Sequence, residues 1–300
     1  MKIGLIGINS PKEEKSFETL QQSLKSNISG IFSPNTEEMH AFAQKYDIKM
    51  YPSATTLFQE VDAVYFANSL KPNVDFAIHA LKNSCHLFIE NIFDLSYEEV
   101  KQLFKLAFEA EVQIAIKQTI LYTPEFKLIK KELQQTKYVE LSYLFNQILR
   151  KKDYFFEIFE AIRFVSACIN SGIKKINTTP VKIDETIFSF VIIFMEFDNG
   201  SIAKIKLNNL SQENEKQIRI YEVHDFYEIN LNKHFVYKHT FSKGHTERRE
   251  LGLFHSNPFE SELSNFINQS ENIKSLNISE SPEIIQDVQA TQSIINKIYN

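Results

Sequence analysis

The residues of this sequence whose types and spacing could hold a phosphate lie at its start. Ile3, Leu5 and Ile6 form an apolar run that reads as a buried parallel strand, and Gly7 ends it. In a doubly wound α/β domain the loop after the first strand faces the ligand crevice, and the next helix points its N-terminus there. The glycine fingerprint for that loop, G-x-G-x-x-G, is met at Gly7 alone; Asn9 and Lys12 occupy its second and third places. Asn tolerates left-handed backbone, so the turn can still form, although its side chain crowds a phosphate.

Other chemistry is sparse. His234, His239, His245 and His255 lack the i, i+4 spacing of a helical metal pair, and no acidic or cysteine cluster completes a site, so no metal is expected. Cys85 and Cys168 have no metal-site spacing and make no disulfide framework. No serine or cysteine nucleophile constellation stands out. Asp153, Glu157 and Glu160 fall at i, i+4 and i+7 and share one helix face. With no lysine alongside them, that face reads first as solvated.

The elements that must position these residues follow from periodicity. Apolar strand patterns at 3–6, 28–32, 63–67, 86–89 and 112–116 alternate with helical patterns at 13–26, 36–46, 72–82 and 96–107. Thr36 reads as an N-cap, and Ser96 with Glu99 as a capping box. Alternation of this kind predicts a parallel sheet with helices on both faces. The pattern then changes. Helices at 124–135 and 154–170 flank a strand at 139–147, and consecutive strand signals follow at 179–184, 187–197, 201–207, 217–222, 226–231 and 235–241. The pair 187–197 and 201–207, joined by Asp198-Asn199-Gly200, is the clearest hairpin. The stretch 244–252 reads as an exposed loop or hairpin end, and 257–267 and 281–299 as closing helices.

These signals predict an N-terminal doubly wound domain over residues 1–120. A C-terminal α+β domain on a mostly antiparallel sheet follows over 121–300, its closing helix packing back near the junction. Three hundred residues fit two domains. A net charge of −5 argues against binding nucleic acid by bulk electrostatics. No apolar run approaches membrane-spanning length and no signal peptide precedes the first strand, so the chain is expected to be cytoplasmic, with no membrane partner.

In its ordered landmarks the sequence resembles the Gfo/Idh/MocA oxidoreductase family. These are KIGLIG, EEMHAFAQKYDI, VDAVYFAN, HLFIENIFDLSYEE, YTPEF, EAIRFV, FDNGSIAKI and NPFESELSNFI, which together span essentially the whole chain. The resemblance implies an N-terminal Rossmann domain, a C-terminal α/β domain and NAD or NADP as cofactor. It also implies a small-molecule substrate that is a sugar, polyol or related hydroxy or keto compound. Cofactor contacts would come from Gly7, Ile8, Asn9, Ser10, Ser33, Asn68, Asn73 and Glu90. Ser33 stands where the family offers an acidic residue, or Ser and Arg types, to the ribose; Asn73 replaces a family histidine. The family's Glu-Lys-Pro falls on Glu90-Asn91-Ile92, so Asn91 carries no charge where the family has lysine, with Lys71 and Lys117 as replacement donors. The family's Asp-x-x-x-His-x-x-Asp falls on Asp153, Glu157 and Glu160, which puts Glu157 in the acid–base place. These departures leave a second expectation open, a catalytically silent member serving as a sensor or interaction scaffold. The resemblance further implies a homo-dimer or homo-tetramer through the C-terminal sheet. The strand 187–197, apolar on both faces, agrees with a central strand covered by helices on one side and a partner on the other.

Overall fold

The computed structural model describes residues 1–7, 17–18, 20–22, 28–34, 36–69, 74–93, 95–183, 187–252, 255–271 and 280–299. The chain divides into two compact units, Met1–Gln118 with Phe259–Ile285, and Thr119–Pro258 with Gln286–Asn300.

The first unit is built on a five-stranded sheet of β1 (Ile3–Ile6), β2 (Ile28–Phe32), β3 (Ala63–Ser69), β4 (His86–Asn91) and β5 (Ile114–Ile116). Their order is β2-β1-β3-β4-β5 and every pair is parallel. Apolar runs without alternation make such strands, because helices cover both faces and every side chain must find an apolar neighbour. The helices are α1 (Thr36–Tyr46), α2 (Ala54–Phe58), α3 (Val74–Lys82) and α4 (Tyr97–Glu109). The capping box of α4 forms as the sequence predicts: Glu99 N–H donates to Ser96 Oγ at 3.2 Å and Ser96 N–H to Glu99 Oε2 at 2.6 Å. Of the helix expected at 13–26, most lies outside the described residues, but Phe17 and Leu20 are fully buried in the core. A further helix, α7 (Pro258–Glu271), belongs to this unit and sets Phe259 and Phe266 against Phe88 of β4.

The second unit carries an eight-stranded sheet ordered β13-β12-β11-β10-β6-β9-β8-β7. Its strands are β6 (Tyr138–Leu144), β7 (Ile173–Lys182), β8 (Phe188–Phe197), β9 (Ile202–Asn208), β10 (Glu215–Tyr221), β11 (Asp225–Asn230), β12 (Phe235–Ser242) and β13 (His245–Leu251). All neighbours are antiparallel except β6 and β9. A short 3-10 turn at Thr119–Tyr122 and α5 (Pro124–Lys130) precede the sheet, and α6 (Lys151–Ile169) follows β6. One sheet face is buried: Val191, Ile193 and Met195 of β8 share it with Ala203, Ile205 and Leu207 of β9 and Val139, Leu141 and Tyr143 of β6. Tyr154 of α6 and Tyr299 of α8 (Glu280–Tyr299) both pack edge-on to Phe188, which places the two helices on that face.

The β8–β9 hairpin turns at Gly200, whose φ of 82° suits the glycine predicted there. Three features differ from the sequence reading. β7 begins at Ile173, just after the left-handed C-cap Asn170 of α6, rather than near residue 179. β8 is second from the sheet edge rather than central. The stretch read as an exposed loop is β13, reached from β12 through Lys243 and Gly244, both at positive φ. Its Thr-Glu-Arg-Arg-Glu core is exposed on both faces, so no hydrophobic alternation marks it.

Candidate active site

In the first unit, the strands that flank β1 are β2 on one side and β3 on the other, so the chain reverses its direction of winding at β1. Ligands of open α/β sheets bind outside the carboxyl ends of the strands at such a switch point. Gly7 stands there directly after β1 with φ 83°, a left-handed turn that glycine adopts without strain. Ile8, Asn9, Ser10 and Lys12, like Lys71 and Asn73, lie outside the described residues, and so does the side chain of Asn68. Ser33, one residue past β2, is buried, and its N–H donates to Met39 Sδ at 3.1 Å.

At the carboxyl end of β4, Glu90 gathers two donors on one oxygen. Tyr65 donates its hydroxyl to Glu90 Oε1, and Lys117 Nζ donates to the same atom at 3.0 Å. Parallel register explains the second contact: Ile89 pairs with Ile116, so the next residues, Glu90 and Lys117, emerge side by side. The Lys117 ammonium also stands 4.4 Å above the Phe259 ring. Burial, and then the charge of Glu90, hold the Tyr65 phenol well above its ordinary range. Lys117 thus turns to Glu90, at the sheet edge where the sequence offered it as a replacement donor. Asn91 spends its Oδ1 on the N–H of Phe93 at 2.8 Å, an Asx turn that steers the chain into the buried Ile92. Its amide nitrogen is what remains to offer a ligand.

In the second unit the three carboxylates of α6 separate into three situations, and none is the solvated face that the sequence suggested. Asp153 caps the helix, its Oδ2 accepting the Arg150 N–H at 3.0 Å and Arg150 Nε at 3.3 Å. Glu160 is buried and accepts the N–H of Ile120 at 3.3 Å, fastening the 3-10 turn. Glu157 meets a lysine: Lys216 Nζ donates to Glu157 Oε2 at 2.6 Å, with the two side chains 26% and 15% exposed. The lysine comes from β10, 59 residues away, which is why local reading missed it. One signal was available, since Lys216, Ile218 and Ile220 alternate on the inward face of β10 and point toward the covering helices. Tyr143 lies beneath the pair, with Lys216 Nζ 4.9 Å from its ring centre. Its hydroxyl is buried without a hydrogen-bond partner among the described residues, and burial, then Glu157 and Glu160, push that phenol well up.

The helix that carries Glu157 is anchored from behind. Arg163 Nη1 donates to Asp287 Oδ2 of α8 at 2.7 Å, both side chains deeply buried, and the half-buried Ser166 donates its Oγ to Asp287 Oδ1 at 2.8 Å. His234 pairs with the buried Glu125 at 2.9 Å, and His239 with Glu228 at 3.0 Å. No group of three or more His, Cys, Asp or Glu side chains among the described residues could hold a metal ion. No helix among them is long and apolar enough to cross a membrane.

A doubly wound parallel unit with a left-handed glycine at its switch point, followed by a mixed sheet of eight strands, is a Rossmann-type fold joined to a second α/β unit. Residues 1–118 match the family model of the Gfo/Idh/MocA oxidoreductase family, described by its NAD-binding Rossmann fold. The chain is also similar to the UDP-N-acetylglucosamine 3-dehydrogenase of Acidithiobacillus ferrooxidans. The two are 28% identical over 116 residues, which span 39% of this chain and 36% of that relative. Across the whole chain the fold matches the solved structure of the A. ferrooxidans UDP-N-acetylglucosamine 3-dehydrogenase GnnA. The TM-score is 0.87 at 17% identity, covering 100% of this chain and 99% of the other. A dehydrogenase (MviM) from Clostridium difficile matches with a TM-score of 0.81 at 17% identity, over 99% of both chains.

Proposed function

We propose that this protein is an NAD- or NADP-dependent oxidoreductase that interconverts a hydroxyl and a keto group on a sugar, nucleotide sugar or polyol. The observation that carries this reading is the family match of the first unit. Two described residues support a dinucleotide here: Gly7 makes the left-handed turn at the switch point, and Ser33, one residue past β2, carries a hydroxyl. In this reading Gly7, Ile8, Asn9 and Ser10 would hold the pyrophosphate, Ser33 would serve the ribose, and Asn68, Asn73 and Glu90 would serve the nicotinamide. The cofactor, when bound, takes or gives a hydride. Lys117 keeps Glu90 ionically paired, and Asn91 offers its amide nitrogen to substrate. Glu157 takes the hydroxyl proton in oxidation and returns it in reduction. Asp153 and Glu160 hold the helix and the turn around it.

A homo-oligomer forms through the uncovered sheet face. Phe194 and Ile202 are each 49% exposed there, and Tyr138, Tyr221, Phe226 and His239 stack ring on ring across four adjacent strands of the same face. Light scattering checks this: a dimer or tetramer is expected, and a monomer at micromolar concentration contradicts it.

The test of activity is reduction of NAD+ and NADP+ with UDP-N-acetylglucosamine and myo-inositol, with Glu157→Gln as control. Loss of a general base lowers turnover about 10²- to 10⁴-fold while NADH binding persists. One observation favours the silent-scaffold reading, that Asn91 already spends its carbonyl oxygen on its own turn. Cofactor binding without turnover on either compound would select it.

A further inference from the structure

Several features invite a role and carry none. The polar hollow bounded by Lys131, Glu132, Glu222, Asp225 and Lys238 is already satisfied internally, Lys238 bridging Glu132 and Asp225 and Glu222 accepting two backbone N–H groups. The buried Glu125 is partnered by His234. The Glu157–Lys216 pair is different, because its bonding is incomplete on both sides. Glu157 uses Oε2 on the lysine, and Oε1 has no partner among the described residues. Lys216 has three N–H donors and gives one to Glu157; the Tyr143 ring backs the ammonium without accepting a hydrogen bond in its plane.

Both groups are held in place. The Lys216 N–H donates to Asn232 Oδ1 at 2.7 Å and its carbonyl accepts from Leu231 at 3.0 Å, which fixes where the lysine stem leaves β10. Arg163 and Ser166, on the helix of Glu157, are bound to Asp287. The pair is 15% and 26% exposed, open enough for a ligand to reach and sheltered enough for its hydrogen bonds to count.

We infer that Glu157 and Lys216 form a clamp for one substrate hydroxyl, which donates its proton to Glu157 Oε1 while its oxygen accepts from Lys216 Nζ. This rests on the oxidoreductase reading above and adds to it the group that stabilises the oxygen. When the O–H bond breaks, the proton forms a bond to Oε1 and the negative charge stays on the oxygen, where the ammonium faces it. A carboxylate and an ammonium sum to zero charge, so the clamp selects a neutral hydroxyl rather than a phosphate or carboxylate group. The substrate group it takes is a sugar or cyclitol hydroxyl.

The experiment uses the full chain with NADH present and UDP-N-acetylglucosamine as the probe, followed by myo-inositol. Calorimetry gives affinity for the parent, Lys216→Met and Lys216→Arg, and mass-spectrometric footprinting follows acylation of Lys216. The clamp predicts that the bound probe shields Lys216, that Lys216→Met binds it at least about tenfold more weakly, and that Lys216→Arg retains most of the affinity. In turnover, Lys216→Ala is predicted to be partly rescued by ethylammonium, which a merely structural lysine would not show. Binding that leaves Lys216 acylation unchanged and is equal in Lys216→Met overturns the clamp, as does failure of both probes to bind at millimolar concentration. Binding with Lys216 shielded but no turnover supports the clamp and refutes only the oxidoreductase reading.

Discussion

Substituting Asp287 by Ala should be among the most damaging single changes in the second unit. Asp287 is buried to within 2% of full enclosure and accepts Arg163 Nη1 at 2.7 Å and Ser166 Oγ at 2.8 Å. The alanine removes the carboxylate that faces the buried guanidinium and takes the acceptor of Ser166 with it. Removing one partner of a buried pair costs about 3–5 kcal/mol, because the other charge stays enclosed. For a unit of this size each kcal/mol lowers the melting temperature by about 2–4 °C, so the midpoint should fall by about 6–20 °C. Thermal unfolding followed by circular dichroism measures it. Arg163→Met combined with Asp287→Leu removes both charges and should recover most of the loss, as paired apolar replacements do elsewhere. A fall below about 2 °C in Asp287→Ala, or a double variant as unstable as the single, would refute the reasoning.

Other outcomes follow from packing and ionisation. Gly30→Ala puts a Cβ 2.4 Å from the Tyr51 ring and 2.6 Å from the Lys49 carbonyl oxygen, so it should cost about 1–3 kcal/mol in urea unfolding. Cys85, its thiol pushed up to about 11 by burial, and Cys168, pushed higher still, should resist Ellman's reagent in the native state and react once unfolded in guanidinium. Burial also raises the phenols of Tyr154 and Tyr299, each to about 12. Above the unfolded value near 10 the unfolded chain binds fewer protons, so stability should be full below that pH and fall as pH rises toward 12. Melting temperatures across that range read the slope, and a flat profile would contradict it.

What the sequence made legible was local. Ser96 and Glu99 announce a capping box from three residues' spacing, and Asn199-Gly200 announces a hairpin from its turn chemistry. The parallel sheet of the first unit follows from strands and helices in alternation. The candidate site was legible by position only. Glu157 could be placed on a helix face, but its lysine arrives from a strand 59 residues on, and no helix periodicity reports a contact with a sheet. The Glu90–Lys117 contact depends on parallel register between β4 and β5, which is set by how the strands pair rather than by either strand alone. β13 was missed because an edge strand exposed on both faces carries no hydrophobic period.

The proposed activity requires the first unit to hold a nicotinamide dinucleotide at the turn beyond β1. Calorimetric titration of the ligand-free protein with NADH and then NADPH tests this directly, with Gly7→Val as the control. Valine at φ 83° forces a bulky side chain into left-handed backbone and should distort the turn. The parent protein should bind at least one dinucleotide at micromolar affinity, and Gly7→Val should bind it markedly more weakly. No heat with either dinucleotide, or equal binding by the variant, would contradict the proposed activity.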